Sequence, residues 1–314
     1  MSFPLVGNPF ENKKDSGQAR MTSKKKKTIS GKIGKKKQYF FCMKKLGLIA
    51  GAGELPIAVA TDARSQGYKV MAVALEPLAD KTLSSYVDEI KWVNVGKFGK
   101  LIDSLKDYGI KEAVMAGKVS KTLLYKSKIT PDLRAVKLLF SLKDKKDDSI
   151  LLAITKELEE EGIHLLDITR FSRSIITPDG ILTKNKPTDD EWKDIRFGWK
   201  IAREIGRLDI GQTVVVRNQA VMAVEAIEGT DEAIKRGGKL AGPGAVIVKV
   251  SKPNQDMRFD VPVVGLTTLK AMIDVGAKVL AVESGKSIIL NREKIIEDSK
   301  KAGISIVGYS GKNP

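Results

Sequence analysis

Lys45-Leu46-Gly47-Leu48-Ile49-Ala50-Gly51-Ala52-Gly53-Glu54-Leu55-Pro56 is the stretch whose reading decides the fold. Its first half is an apolar run of strand length, and its second half is a glycine turn. Ile57 to Gln66 continues as a helix, which Gly67 ends as a C-terminal cap glycine does. The same alternation repeats downstream. Val70 to Leu75 reads as a strand, and Val87 to Val95 contains a short one. Lys97 to Tyr108 is helical up to Gly109, and Glu112 to Ala116 is a strand running into Gly117-Lys118. Strands alternating with helices predict an α/β domain with a Rossmann-like parallel sheet.

Residues 131–162 read as helical, with Asp147-Asp148 inside or between two helices, and Ile163 to Asp167 as a further strand. Phe171 to Pro187 is rich in turns, and the domain boundary is placed there. Thr188-Asp189-Asp190-Glu191 is a capping-box pattern opening a helix to about Leu208. Gly211 to Arg217 and Ala220 to Ala226 resemble paired strands around Asn218-Gln219, and Thr230 to Arg236 a short helix. Ala245 to Val250 reads as a buried strand. Leu266 to Val275 is helical, Val279 to Glu283 and Ser287 to Asn291 are strands, and Arg292 to Ala302 is a last helix. The expected organisation is a basic extension over 1–42, an N-terminal domain over 43–172, a linker over 173–187 and a C-terminal α/β domain over 188–314.

Composition narrows the chemistry. The chain has one cysteine, Cys42, and one histidine, His164. An intramolecular disulfide, a cysteine-cluster metal site and chemistry needing two histidines are therefore excluded, and the usage fits a reducing cytosol. Any metal is expected on oxygen ligands. His164 itself reads as a core or edge residue. No apolar run reaches the roughly 18 residues of a membrane-spanning helix. Of the net charge of +17, residues 1–42 contribute +9 (eleven Lys and Arg against two acids) and the rest +8. Those first residues are expected to be a disordered basic arm, or an extension ahead of a core that starts at Met43. The body's charge favours anionic lipid surfaces or phosphorylated substrates.

The richest polar stretch is Lys252-Pro253-Asn254-Gln255-Asp256-Met257-Arg258-Phe259-Asp260-Val261-Pro262, directly after the strand ending at Val250. Its two prolines stop the strand from continuing. Asp256 and Asp260 offer hard oxygens of the kind Mg²⁺ takes, and Lys252 and Arg258 offer cations for phosphate oxygens. The alternative is a solvated loop with internal ion pairs. Gly51-Ala52-Gly53 with Leu55 and Pro56 occupies the place of a dinucleotide fingerprint, but Pro56 stands where the third glycine belongs. It reads either as a phosphate-approaching turn or as a tight turn with proline in the first helical turn. Glu76, after the second strand, stands near the offset of a ribose ligand.

Other candidates are weaker. Gly117-Lys118 places a lysine at a strand end. Of Asp147-Asp148 only one faces a site on a helix, and Asp148 is taken as the candidate. Glu225, Gly229, Thr230 and Asp231 follow a strand and suit a cation or a sugar hydroxyl, with plain helix capping as the alternative. Thr267 and Thr268 after Gly265 put hydroxyls at a helix N-terminus.

These residues, in this order, resemble the LpxI-type UDP-2,3-diacylglucosamine pyrophosphatases of bacterial lipid A synthesis. The resemblance runs from Met43 to about Gly311. It is carried by L-I-A-G-A-G-E-L-P at 48–56, A-G-K-V at 116–119, Asp147-Asp148, A-V-E-A-I-E-G-T-D at 223–231, the loop at 252–262 and the V-G-L-T-T that follows. Gly237-Gly238 and the basic extension depart from the pattern. The resemblance implies Mg²⁺-dependent hydrolysis of the substrate's pyrophosphate to UMP and 2,3-diacylglucosamine 1-phosphate, with water directed at the sugar-side phosphorus. It also implies a homodimeric cytoplasmic enzyme in transient contact with the inner membrane surface. Asp256 is expected as the key acid and metal ligand, with Asp260 second. Lys252 and Arg258 are expected on phosphate charge, and Gln255 on water or phosphate. Gly51, Ala52, Gly53, Leu55, Pro56, Gly117, Lys118, Asp148, Glu225, Gly229, Thr230, Asp231, Thr267 and Thr268 are expected around the substrate. A nucleotide-binding oxidoreductase remains the alternative from the glycine turn. A nucleic-acid adaptor leaning on the basic arm is not expected.

Overall fold

The first strand and its glycine turn seed a parallel sheet. In the computed structural model, which describes residues 43–119, 130–142, 147–253 and 255–312, β1 (Lys45–Ala50) pairs in parallel with β2 (Lys69–Glu76) and β4 (Glu112–Ala116). β3 (Glu89–Asn94) and the two-residue β5 (His164–Leu165) complete the order β3-β2-β1-β4-β5, all parallel. This is the strand order of a doubly wound sheet, in which the order of successive strands reverses between β1 and β4. The central strands are buried on both faces: Leu46, Leu48, Val70, Val73 and Val114 have no exposed surface. Helix α1 (Leu55–Ser65) follows β1, with Pro56 in its first turn, and α2 (Phe98–Asp107) follows β3. Phe98, Leu101, Ile102 and Leu105 form the inward stripe of α2. Helices α3 (Leu133–Ser141) and α4 (Asp147–Glu160) lead to β5. His164 lies on this edge strand and is exposed.

The second sheet is mixed, in the order β6-β13-β11-β9-β7-β8. Its members are β6 (Gly180–Ile181), β7 (Thr213–Arg217), β8 (Ala220–Val224), β9 (Val246–Lys249), β11 (Val279–Glu283) and β13 (Ser305–Tyr309). The segment around 176–182 joins this sheet, because β6 pairs with β13 and Ile176 bridges Ile288. A small parallel pair, β10 (Val263–Val264) with β12 (Ile288–Ile289), lies beside it. Helix α5 (Asp189–Arg207) opens with the expected capping box: Thr188 Oγ1 accepts from the Glu191 amide, and the Glu191 carboxylate accepts from the Thr188 amide. Such a cap contributes about 1 kcal/mol. Asn218 and Gln219 both adopt left-handed conformations in the β7–β8 turn, and their amides donate to the buried Asp194 carboxylate on α5.

Differences from the sequence reading have physical causes. β13 is missed because S-I-V-G-Y is short, buried on both faces and lacks alternation. The helix from Thr230 runs on to Ala241 as α6, past the glycine pair. A methyl at Gly237 would stand 2.6 Å from Val215, and one at Gly238 2.4 Å from Val275. The glycines there let α6 pack closely on β7 and on the end of α7 (Leu266–Asp274). Helix α8 (Arg292–Ala302) keeps the expected bounds. Residues 1–42, including Cys42, and Asn254 lie outside the described residues, as do the side chains of Asp147 and Asp148.

Candidate functional site

Strand direction brings the polar segments together. β8 and β9 are both antiparallel to β7, so they run the same way, and β11 is parallel to β9. Glu225 after β8, Lys249 at the end of β9 and the loop after Val250 therefore share one edge of the sheet. Register refines this: Lys249 lies opposite Thr213, and the Glu225 amide donates to the Thr213 carbonyl. One row across three strands thus carries Glu225, Thr213 and Lys249. Helix α6 begins at the same edge.

Lys249 is the residue that sequence reasoning missed. It is 3% exposed, and its Nζ donates to Thr230 Oγ1 at 2.6 Å. Thr230 Oγ1 in turn donates to Glu225 Oε1 at 2.8 Å. The Gln212 amide donates to the other Glu225 oxygen at 3.3 Å. Burial pushes the Lys249 ammonium down from its usual range, partly offset by the charges of Glu225, Asp231 and Asp260, and reinforced by Lys118. The sequence signal was present: a lysine inside V-I-V-K-V is a charge where a buried strand admits none without a reason.

The structure gathers Glu225, Thr230, Asp231, Thr268, Lys118 and Asp260 around this ammonium. Thr268 Oγ1, in the first turn of α7, donates to Asp231 Oδ1, in the first turn of α6, at 2.8 Å. Two helix N-termini therefore meet beside Lys249. Gly229 caps α6 with a positive φ of 85°. Thr267 is exposed on the same turn as Thr268.

The two glycine turns of the first sheet interlock. The Ala52 amide donates to the Lys118 carbonyl and the Lys118 amide to the Ala52 carbonyl, both at 2.9 Å. A methyl at Gly117 would stand 2.7 Å from the Gly51 carbonyl carbon, and Gly117 has φ +94°. So Gly51 and Gly117 permit a backbone bridge that holds Lys118 at the sheet's C-terminal edge, while the Ala52 amide is spent on that bridge. Gly53, φ +94°, has open space around it. Leu55 and Pro56 open α1, with Pro56 buried. Glu54, in the same turn, accepts from Asn291 Nδ2, which ties this turn to the start of α8.

The 252–262 loop is internally braced. Lys252 Nζ is paired with Asp209 at 2.6 Å, and the Lys252 amide donates to Gln255 Oε1 at 2.8 Å. Gln255 Nε2 donates to Asp260 Oδ2 at 2.7 Å. Arg258 grips Asp256 and holds its carboxyl below the usual carboxylate range. The Met257 carbonyl accepts from the Ile168 amide, and Val261 packs against the core of the first sheet. The loop thus bridges from the second sheet to the first. Among the described residues no group of three or more His, Cys, Asp or Glu converges as a metal cage. Glu76 ends β2 and lines a pocket with Pro77, Lys81 and Trp92.

Comparison with known proteins follows this architecture. The LpxI N-terminal domain matches residues 45–175 and the LpxI C-terminal domain residues 178–307. The UDP-2,3-diacylglucosamine pyrophosphatase LpxI of Caulobacter vibrioides is 34% identical over 277 residues, covering 85% of this chain and 98% of the relative. Among solved structures, phosphoribosylglycinamide synthetase from Anaerococcus prevotii has 12% identity and a TM-score of 0.22, over 61% of this chain and 34% of that one. N5-carboxyaminoimidazole ribonucleotide synthetase from Thermotoga maritima has 16% identity and a TM-score of 0.22, over 61% and 43%. Likenesses of that size support no argument about this chain. With both of its domains matched in order, and a relative aligned over nearly its whole length, the chain belongs to the LpxI family.

Proposed function

We propose that this protein hydrolyses the pyrophosphate bond of UDP-2,3-diacylglucosamine, giving UMP and 2,3-diacylglucosamine 1-phosphate in lipid A biosynthesis. The observation that carries the reading is the 34% identity to an LpxI pyrophosphatase across both domains. The site's chemistry agrees with it. Cleaving a phosphoanhydride with water requires charge neutralisation on phosphoryl oxygens and an oriented water. Cations, carboxylates and two helix N-termini supply groups for both.

The residue roles proposed are these. The grip of Arg258 keeps Asp256 ionised and makes it a weak proton acceptor, which favours orienting water over removing its proton. Asp260, steadied by Gln255, is the second carboxylate. Lys252 and Arg258 are the cations assigned to phosphate charge. Gly51, Ala52, Gly53, Leu55, Pro56, Gly117 and Lys118 form the nucleotide side. Glu225, Gly229, Thr230, Asp231, Thr267 and Thr268 form the sugar side, and Asp148 is a further candidate. The donor set suits Mg²⁺ shared with substrate phosphates: Asp256 and Asp260 offer hard carboxylate oxygens, and Mg²⁺ commonly takes one or two carboxylates plus phosphates. Asp256 and Asp260 would hold it, and when bound it supplies neutralisation of phosphoryl charge.

The substrate is assigned to the cleft between an N-terminal domain over 43–172 and a C-terminal domain over 188–314, joined by 173–187. The enzyme is proposed to act as a homodimer on the cytoplasmic side, touching the inner membrane where its lipid substrate resides. No helix of the described residues is long and apolar enough to cross a membrane. The test is product analysis after incubation with UDP-2,3-diacylglucosamine and Mg²⁺. UMP and the lipid monophosphate in equal amounts support the reading; an intact substrate contradicts it.

A further inference from the structure

Among the described residues, buried charges fall into two kinds. Glu283 is 6% exposed and accepts from the Ser251 amide and hydroxyl, both at 2.7 Å, with Arg203 and Lys286 beside it. Asp194 is 5% exposed and accepts two backbone amides. Both are satisfied by the fold, as buried ions must be. Lys249 is different. An ammonium has three donors, and among the described residues Lys249 uses one, toward a neutral hydroxyl. It makes no ion pair within 4.0 Å among those residues, although Glu225, Asp231 and Asp260 are close enough to influence it. A second cation, Lys118, exposed where the first sheet's β4 ends, is near enough to influence it. Two cations brought toward each other, one of them buried beside two helix N-termini, are repulsive without an anion and favourable with one.

We propose that Lys249 is a phosphate-contacting residue of this site, parked on Thr230 Oγ1 and delivering its two remaining donors to a phosphoryl oxygen of the bound nucleotide sugar. Thr230, fixed by Glu225, aims the ammonium. Lys118 closes on the same phosphate group from the opposite sheet. This inference rests on the pyrophosphatase reading and adds to it the cation at the floor of the site.

The experiment uses the full chain with Lys249→Met, which keeps the length and apolar stem, and Lys249→Ala. Thermal unfolding is followed alongside UMP release from UDP-2,3-diacylglucosamine, with and without added ethylamine. The expected result is a cooperative melt for Lys249→Met within a few degrees of wild type, with turnover reduced about 10²–10³-fold, the usual consequence of removing one fixed charge-stabilising group. Lys249→Ala is expected to regain activity with ethylamine, which a purely structural lysine would not show. Turnover of Lys249→Met within threefold of wild type overturns the inference, as does the loss of its cooperative melt or a Lys249→Ala variant indifferent to the amine. An inactive wild type removes the pyrophosphatase reading and this inference with it; an active wild type beside an active Lys249→Met removes the inference alone.

Discussion

Arg258 clamps Asp256 two residues away: its Nε donates to both carboxylate oxygens at 3.0 and 3.1 Å, and its Nη2 to Oδ2 at 2.6 Å. The Arg258 amide adds a fourth bond at 3.0 Å. The carboxylate taken as the key acid is therefore held in one orientation by its own loop.

The clamp has a measurable acid signature. The Arg258 guanidinium depresses the Asp256 carboxyl below its unfolded value. A depressed carboxylate contributes stability that is present above the unfolded value, about 3.9, and is lost as pH falls through the folded one. Asp256→Asn is expected to be less stable than wild type at pH 6, with the gap closing below about pH 4. Denaturant melts across pH 3–7 check this; a gap that stays constant contradicts the clamp.

Lys249 gives the opposite test. Its burial lowers its affinity for a proton in the folded state, so the unfolded chain binds that proton more tightly up to about pH 10.4. Stability from this group therefore rises with pH toward that value. The stability of wild type relative to Lys249→Met is expected to increase between pH 7 and 10, read by chemical denaturation. A flat difference would show that the ammonium is not desolvated.

The interlocked turns separate packing from function. Gly117→Ala places a methyl against the Gly51 backbone at a left-handed φ, and is expected to cost about 2–3 kcal/mol and to displace Lys118. Gly53→Ala meets open space and is expected to cost only about 1 kcal/mol, from its φ alone. Thermal melts of both variants decide it; equal costs contradict the close approach.

Most of the fold was legible because it is written in local signals. K-L-G-L-I-A, E-A-V-M-A and the Thr188 capping box each specify their own element. The site was legible only in part. Glu225, Thr230, Asp231 and Thr268 stand out as polar residues at strand and helix ends, and the fold does bring them together. Lys249 was hidden because its meaning depends on register: only the pairing Thr213↔Lys249 and the Glu225 bond to Thr213 reveal that it shares a row with Glu225. Likewise, the joining of Gly51 to Gly117 depends on β1 and β4 being neighbours, a tertiary fact that no local pattern carries.

The most direct test of the account compares UMP release from UDP-2,3-diacylglucosamine by wild type and Asp256→Ala, each with Mg²⁺ and with EDTA, after confirming that both melt cooperatively. Mg²⁺-dependent release by wild type and a loss of about 10²–10³-fold or more in Asp256→Ala are expected. Near-normal turnover by the folded Asp256→Ala protein, or release by wild type that EDTA leaves unchanged, would contradict it.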